Sequence, residues 1–209
     1  MNTTAKFWDK LAPRYAAMPI ADEAAYQKKL EITRQYLQPS SDVLELGCGT
    51  GSTAVLHAPT VKHYLAVDCS SAMLGLARTK AQNSGVSNLA FEHATVDEFR
   101  SPEARFDVVL ALSLLHLLED KDVVISRIHD FLKPGGVFIS STACLGDRMA
   151  YVKYIAPIAR FFGKMPLVKV FTVAELEYSL VEAGFVIENR WQPDPKKAVF
   201  MVARKHGSL

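Results

Sequence analysis

The stretch Val43-Leu44-Glu45-Leu46-Gly47-Cys48-Gly49-Thr50-Gly51 decides the fold. Its first half is a short apolar run that follows the turn-forming segment 39–42, and this pattern predicts a buried strand. Its second half has glycine at every other position. Because glycine has no Cβ, such a loop can turn tightly and bring its backbone N–H groups against a ligand. A strand followed by a glycine-rich turn and a helix predicts an α/β sheet that holds an adenine-containing cofactor.

The spacing of the glycines separates the classes of cofactor. A dinucleotide fingerprint, G-x-G-x-x-G, would place its third small residue at position 52, where the chain has Ser52. Here an acid, Glu45, precedes the first glycine by two residues. The segment 44–51 therefore resembles the first motif of class I S-adenosylmethionine-dependent methyltransferases. The resemblance implies S-adenosyl-L-methionine as the cofactor, bound by Glu45, Gly47, Cys48, Gly49 and Gly51.

Length and composition suit one α/β domain with a sizeable core, since 49% of the 209 residues are hydrophobic and 22% are charged. The formal charge of +2 offers no general attraction to phosphate, so we expect no nucleic-acid partner. The three cysteines are widely spaced and predict neither a disulfide framework nor a metal site. The N-terminus lacks the apolar core of a signal peptide, and no apolar run reaches the ~18 residues of a membrane span. We therefore expect a cytoplasmic protein.

An acid follows the second predicted strand, His63–Val67. Asp68 at this place can accept hydrogen bonds from both hydroxyls of a ribose. Ser70 or Ser71 caps the next helix, which would leave Asp68 free for the ligand; the alternative is that Asp68 is itself only a helix cap. The resemblance adds Cys69 and Met73 to the cofactor site, with Met73 placed against the adenine or, alternatively, in the core.

After the third predicted strand, residues 88–92, the sequence departs from the family. The family has an aspartate and a small residue at the place of Thr95 and Val96, where the aspartate binds the adenine amino group. The hydroxyl of Thr95 can accept one hydrogen bond there but brings no charge. We expect Thr95 and Val96 to contact the adenine, and this departure weakens the assignment.

The block Phe106–Asp120 resembles the fourth motif of small-molecule methyltransferases. The resemblance implies that the backbone of Ala111 and Leu112, at the end of a central strand, contacts the methionine part of the cofactor. His116 follows, and a pKa near neutrality makes it the candidate general base, although it could instead only pack or orient. The Asn-Pro-Pro-aromatic motif of enzymes that methylate nucleic-acid bases is absent from this block.

The N-terminal segment 1–38 is predicted to be a helical lid. Its aromatic part, Phe7–Tyr15, is expected to break at Pro13, and a helix capped by Asp22 is expected to run to about Leu37. The resemblance places Tyr15 on the cofactor and Trp8 on the substrate. The alternative is that both side chains anchor the segment to the core.

Residues 146–170 are predicted to be a cap over the substrate. They are rich in aromatic and apolar residues and contain five basic residues and a single acid, Asp147. Tyr151 and Tyr154 are the expected substrate contacts, and the composition favours a largely apolar substrate. A dimer contact or a peripheral membrane contact would explain the same composition, and the oligomeric state stays open.

The expected fold is α/β, a Rossmann-like, doubly wound, seven-stranded and mostly parallel sheet with an antiparallel C-terminal strand and a small helical cap. The last two strands, 185–191 and 197–204, are close enough in sequence to form an antiparallel hairpin. We interpret 1–209 as a single methyltransferase domain. Its parts are the lid 1–38, the cofactor-binding core 42–145, the cap 146–170 and the C-terminal helix and hairpin 171–209.

The function expected from these residues is transfer of a methyl group from S-adenosylmethionine to a small, largely apolar organic molecule by in-line displacement. The start of the chain and the block 106–120 give a distant likeness to the quinone-biosynthesis branch of the family. One alternative is a non-catalytic protein that binds the same cofactor. A nicotinamide-dependent oxidoreductase is a further alternative, which Ser52 and Glu45 disfavour.

Overall fold

Seven strands form one mixed sheet in the computed structural model, which describes residues 3–207. The strands are β1 Asp42–Leu46, β2 His63–Asp68, β3 Leu89–His93, β4 Phe106–Leu112, β5 Leu132–Thr142, β6 Phe185–Trp191 and β7 Val199–Lys205. The helices are α1 Thr3–Ala17, α2 Glu23–Arg34, α3 Ser52–His57, α4 Ser71–Asn83, α5 Lys121–Phe131, α6 Val152–Phe161 and α7 Val173–Glu182.

The sheet order is β3-β2-β1-β4-β5-β7-β6, and β7 runs antiparallel to both of its neighbours. The predicted Rossmann-like, mostly parallel sheet with a reversed C-terminal strand is therefore confirmed. The residues divide into two compact units between Arg100 and Ser101. The predicted division into lid, core, cap and C-terminal hairpin stays a prediction, and residues 1–2 and 208–209 of its range lie outside the described part of the chain.

In the first unit, β1, β2 and β3 are parallel, with Leu44 opposite Leu65 and Ala66 opposite Phe91. Parallel strands end at the same edge of a sheet, so the loops that follow these three strands lie side by side. The apolar residues of β1 and β2 are buried in near-continuous runs, as in strands covered on both faces. This arrangement brings residues 47–51, 68–70 and 94–98 to one edge.

The N-terminal segment differs from its prediction. The expected break at Pro13 is wrong, because α1 continues through this residue to Ala17. Pro13 is exposed, so water can satisfy the carbonyl group of the preceding turn that loses its N–H partner. The cap of α2 is confirmed, since Asp22 Oδ1 accepts the N–H of Ala25 at 3.0 Å. This helix ends at Arg34, a turn before the expected Leu37.

In the second unit, β4 and β5 are parallel and the pair β6–β7 is the predicted antiparallel hairpin. The segment 133–136, Lys-Pro-Gly-Gly, has the composition of a tight turn but forms the start of β5. The register of the β4–β5 pair shifts between Phe106 and Val108, so the chain bends there through a β-bulge. A Cβ on Gly136 would lie 2.9 Å from the carbonyl oxygen of Lys133, which explains why this bend needs glycine. None of the described helices is long and apolar enough to cross a membrane.

Candidate functional site

The glycine loop after β1 is held by hydrogen bonds within its own unit. The N–H groups of Gly47 and Cys48 both donate to the carbonyl oxygen of Val67, at 2.8 and 3.1 Å. The N–H of Gly51 donates to the carbonyl oxygen of Cys48 at 3.0 Å. All three glycines have positive φ, 70° at Gly47, 54° at Gly49 and 72° at Gly51, a region that residues with a Cβ rarely adopt.

Two of these glycines serve different purposes. A Cβ on Gly51 would lie 2.8 Å from the Cβ of Ala77, so this glycine lets α4 approach the loop. A Cβ on Gly49 would meet no atom of residues 3–207 within 4 Å, so open space lies in front of this residue. Gly49 therefore faces the space in which a ligand can lie, whereas Gly51 is needed for packing.

Asp68 at the end of β2 connects the glycine loop to the start of α4. Its Oδ2 accepts the N–H of Gly49 and its Oδ1 accepts the N–H of Ser70, both at 2.8 Å. Ser70 caps α4, as expected, with its hydroxyl oxygen accepting the N–H of Met73 at 3.1 Å. Each carboxylate oxygen of Asp68 accepts one backbone N–H, and the backbone N–H of Cys69 also acts to lower its pKa, which burial raises. These hydrogen bonds orient the carboxylate, and its expected contact with a ribose stays a prediction.

Helix α1 is attached to the start of α4 through Asp9. Its Oδ1 accepts the Ser70 hydroxyl at 2.7 Å and the Ala72 N–H at 3.0 Å. These hydrogen bonds lower the pKa of Asp9. No sequence motif predicts the contact between Asp9 and Ser70, because the two residues are 61 positions apart. Asp9 thus positions the N-terminal segment beside the residues that orient Asp68.

Glu45 is buried in the sheet, where the hydroxyl of Tyr64 on β2 donates to its Oε2 at 2.8 Å. Burial raises the pKa of Glu45 to about 7, although the Tyr64 hydroxyl and the charge of Asp68 also act on it, in opposite directions. Burial likewise raises the pKa of Asp68, against the lowering effect of the N–H groups of Ser70 and Gly49. Two closely spaced carboxyl groups therefore lie behind the glycine loop, in a place with little water.

The other residues predicted around the loop are mostly buried. Met73 is 2% exposed, and its backbone N–H is used by the helix cap. Burial raises the pKa of Cys48 far above its usual range and that of Cys69 to about 11. Both thiols are therefore protonated at neutral pH and neither is a nucleophile. Cys48 is 8% exposed and acts as a small residue that fills space in the loop.

Thr95 does not present a free hydroxyl to a ligand. Its Oγ1 donates to Glu98 Oε2 at 2.8 Å and accepts the Glu98 N–H at 3.1 Å, while its own N–H donates to the same carboxylate at 3.2 Å. This reciprocal arrangement is that of a capping box. The role expected for Thr95 and Val96 at the adenine stays a prediction, and the geometry shows why Thr95 cannot substitute simply for the family aspartate.

Trp8 and Tyr15 lie along α1 and contact each other edge to face, with ring centroids 6.4 Å apart. Phe7 contacts Trp8 in the same way at 5.4 Å. Tyr15 is 46% exposed. The structure therefore brings Trp8 and Tyr15 to one another, and their contacts with substrate and cofactor stay predictions.

In the second unit, Ala111 and Leu112 end β4 opposite Ser140 and Ser141 of β5. The next residue, Ser113, has φ +59°, and its N–H donates to the carbonyl oxygen of Ser141 at 2.7 Å. A serine in the left-handed region is uncommon, and such backbone strain is often found where a strand ends at a functional loop. Sequence reasoning did not identify Ser113, because nothing in the residue type predicts its conformation.

His116 lies in a single 3-10 turn, Leu115–Leu117, and its carbonyl oxygen accepts the N–H of Lys169 at 2.8 Å. Its Nδ1 is buried and has no hydrogen-bond partner in the described part of the chain. Burial lowers the pKa of His116 to about 4. The ring is therefore neutral at pH 7, and it is a weaker base than the pKa near neutrality expected from the residue type implies.

The predicted cap contains α6, which has buried Val152 and Ala156 on one side. Tyr151 precedes the helix and is 56% exposed, whereas Tyr154 within it is 69% exposed. The ammonium group of Lys153 lies 4.9 Å from the centre of the Tyr154 ring. Their role as substrate contacts stays a prediction. Across residues 3–207, no group of three or more His, Cys, Asp or Glu side chains is arranged to hold a metal ion.

Residues 43–136 match the family model described as a methyltransferase domain. The uncharacterized methyltransferase YcgJ of Bacillus subtilis is 30% identical over 97 residues, which are 46% of this chain and 38% of that protein. The ubiquinone/menaquinone biosynthesis C-methyltransferase UbiE of Vibrio vulnificus is 31% identical over 113 residues, 52% of this chain and 44% of that protein. The chain thus spans about two fifths of the length of these curated relatives.

The fold has solved counterparts over a greater length. The crystal structure of an S-adenosylmethionine-dependent methyltransferase from Mesorhizobium loti has a TM-score of 0.73 and 21% identity, and covers 87% of this chain and 98% of that one. At this identity the likeness shows the fold alone. The matched segment 43–136, the relatives and the order of the sheet agree with the motifs, and together they support a class I S-adenosylmethionine-dependent methyltransferase.

Proposed function

We propose that this chain transfers a methyl group from S-adenosylmethionine to a small, largely apolar organic molecule by in-line displacement. The observation that carries the proposal is how the glycine loop uses its N–H groups. Those of Gly47, Cys48, Gly49 and Gly51 are all donated within the unit.

This pattern distinguishes between two classes of ligand. A pyrophosphate is bound by backbone N–H groups that point at the anion. Here four of the loop's N–H groups, those of Gly47, Cys48, Gly49 and Gly51, are used, and the carboxyl group of Asp68 accepts one of them while its charge also acts on Glu45. A negative environment favours a cation and repels a pyrophosphate. S-adenosylmethionine carries positive charges on its sulfur and its amino group, whereas the nicotinamide cofactors carry a pyrophosphate, so the methyl donor is the better fit.

The residues of the first unit fit the parts of this cofactor. Open space in front of Gly49 leaves room for its chain beside the loop. Asp68, oriented by the N–H groups of Gly49 and Ser70, presents its carboxylate at the end of β2, where it would accept hydrogen bonds from the ribose hydroxyls. When bound, the cofactor supplies an electrophilic methyl group attached to a positively charged sulfur.

The protein's main contribution to such a reaction is alignment. An in-line displacement needs the nucleophile, methyl group and sulfur on one line, and positioning of this kind is worth up to ~7–11 kcal/mol in favourable cases. A base is needed only where the acceptor keeps its proton. We assign that role to His116, which is neutral at pH 7 because burial lowers its pKa to about 4.

The test is turnover with S-adenosylmethionine labelled on its methyl group and a panel of phenols, amines and quinols. Label that appears in at least one apolar acceptor, with S-adenosylhomocysteine as coproduct, is the expected result. Tight binding of the cofactor without transfer to any acceptor would favour the non-catalytic alternative. Better transfer to charged, hydrophilic acceptors would contradict the proposed substrate class.

His116→Asn tests the base with a side chain that is polar and smaller. We expect kcat to fall by about 100-fold for an acceptor that must lose a proton, with the affinity for the cofactor unchanged. For the unaltered protein, kcat at saturating cofactor should stay level from pH 8 to pH 5.5, because a group of pKa about 4 does not titrate in that range. The exposed His206→Asn is the control. A loss below threefold would exclude this role, and a kcat that halves near pH 6.5 would contradict the lowered pKa of His116.

A further inference from the structure

Helix α6 and the residues that flank it expose a continuous apolar face. Six large apolar or aromatic side chains are each at least 53% exposed, and Phe161 reaches 84%. At 100° per residue they fall within one arc of about 120° on the helix. They are Tyr151, Tyr154, Ile155, Ile158, Phe161 and Phe162.

The side of α6 opposite the exposed apolar face carries its buried residues. They are Val152 and Ala156. The exposed arc is therefore additional to the core contact, and it is not the side on which the helix packs. Contiguous exposed apolar surface of this kind is rare on monomeric proteins and marks a surface that binds something.

The charges beside this face are almost all positive. The segment 146–170 has five basic residues and a single acid, Asp147. Asp147 offsets only one of these five charges, and its Oδ2 accepts the N–H of Val173 at the start of α7, at 2.9 Å. Glu119, which lies outside the segment, pairs with Arg160 at 3.3 Å and Lys169 at 2.9 Å. Arg148, Lys153 and Lys164 complete the basic set.

We propose that α6 docks on the surface of an anionic lipid bilayer, with the helix lying in the plane of the interface. A ten-residue helix is about 15 Å long, too short to span a bilayer but long enough to insert one apolar face beneath the headgroups. Tyr and Phe side chains suit this depth, where one end of a ring is apolar and the other is wet. The basic residues add attraction to anionic headgroups.

A second copy of the chain fits this face less well. A symmetric contact places the same patch of two subunits against itself. The basic residues would then face their own counterparts, with a single acid of the segment, Asp147, against five basic residues on each copy. An anionic lipid surface offers both the apolar phase and the opposite charge.

The test is co-sedimentation of the full chain with vesicles of phosphatidylcholine alone or with 30% phosphatidylglycerol. It needs no cofactor and no acceptor, so it does not depend on the proposed methyl transfer. We expect binding to the anionic vesicles at 0.1 M salt, at least tenfold weaker binding to the neutral vesicles, and a marked loss of binding at 0.5 M salt.

Two double variants separate the contributions of the surface. Phe161→Ser with Phe162→Ser should weaken binding at least tenfold, and Lys153→Glu with Lys164→Glu should abolish the preference for anionic vesicles. Tyr178→Ser, which removes an aromatic side chain 66% exposed on α7, is the matched control and should bind as the unaltered chain does. Circular dichroism checks that each variant is folded.

Three results would overturn the proposal. The first is no sedimentation with anionic vesicles, and the second is sedimentation that neither double variant reduces. The third is a dimer in light scattering that Phe161→Ser with Phe162→Ser dissociates, because the face would then belong to a second copy.

Discussion

Glu45 shows how one residue connects the sheet to the site. It is 3% exposed, and its partner for hydrogen bonding is the hydroxyl of Tyr64. The spacing of Glu45 to the first glycine identifies it as a residue of the site. Nothing in the sequence identifies Tyr64 as its hydrogen-bond partner, because Tyr64 is one of several buried residues of β2. The free-energy cost of holding an acid here depends on its charge, and burial raises its pKa to about 7.

The first prediction concerns stability and pH. A pKa that folding raises means that the folded state binds the proton more tightly, so the stability that Glu45 contributes is full below about pH 4.5 and is lost as pH rises through about 7. Glu45→Gln keeps the shape and removes the charge. We expect the variant to gain on the order of 2–3 kcal/mol in free energy of unfolding relative to the unaltered chain between pH 5 and pH 8.

Urea titrations at the two pH values measure this difference. The free energy of unfolding of the variant is compared with that of the unaltered chain at each pH, because two histidines also make stability depend on pH. Burial lowers the pKa of His57 and His116 to about 4, so the stability that they contribute is lost as pH falls below about 6.5, in the opposite direction to that of Glu45. Glu92→Gln, an exposed acid on β3, is the control and should show no such trend. An equal difference at both pH values would contradict the assignment of a raised pKa to Glu45.

At the scale of elements, the glycine loop is the part that sequence predicts best. Its spacing indicates a turn that only glycine can make, and all three glycines do have positive φ. Their separate roles depend on tertiary contacts. Gly51 is required because α4 comes close to it through Ala77, and the sequence places no signal at position 77 that would reveal this.

The loop therefore allows a matched pair of substitutions. Gly49→Ala should weaken the affinity for S-adenosylmethionine at least tenfold, because its Cβ enters the open space in front of the loop. Gly85→Ala is the control: its φ of +66° and its open surroundings resemble those of Gly49, away from the loop. Both should lose about 1–2 kcal/mol of stability from backbone strain.

Calorimetric titration and thermal unfolding of both variants measure the two effects. Gly51→Ala should instead lower the stability further than either, since its Cβ would lie 2.8 Å from that of Ala77. Equal affinity for the cofactor in the Gly49→Ala and Gly85→Ala variants would place the ligand elsewhere.

The boundaries of elements were less predictable than their identity. Pro13 usually ends a helix, but exposure to water lowers the cost of the lost hydrogen bond and α1 continues. The segment 133–136 reads as a turn, but pairing with β4 extends the strand back to Leu132 through a bulge. In both cases the residue type indicates a local break, and the surroundings of the segment decide where the helix or strand ends.

At the scale of the whole molecule, the order of elements and the reversed last strand followed from sequence, because alternating strands and helices leave few topologies open. The contacts that complete the candidate site did not. Asp9 accepts a hydrogen bond from Ser70, 61 positions away in the sequence. The hydroxyl of Thr95 donates to Glu98 in a capping box, which its alignment with the family did not indicate. Polar contacts of this range carry no periodicity, so sequence supplies the residues of a site more readily than their partners.

The central claim is that the first unit binds a cationic methyl donor at the glycine loop and at Asp68. The most direct measurement is calorimetric titration of S-adenosylmethionine and of NAD into the full chain and into Asp68→Asn, with the exposed Asp97→Asn as control. We expect one S-adenosylmethionine bound per chain, no heat from NAD, at least tenfold weaker binding in Asp68→Asn and unchanged binding in Asp97→Asn. Binding of NAD with no heat from S-adenosylmethionine, or equal affinities in the two variants, would contradict the claim.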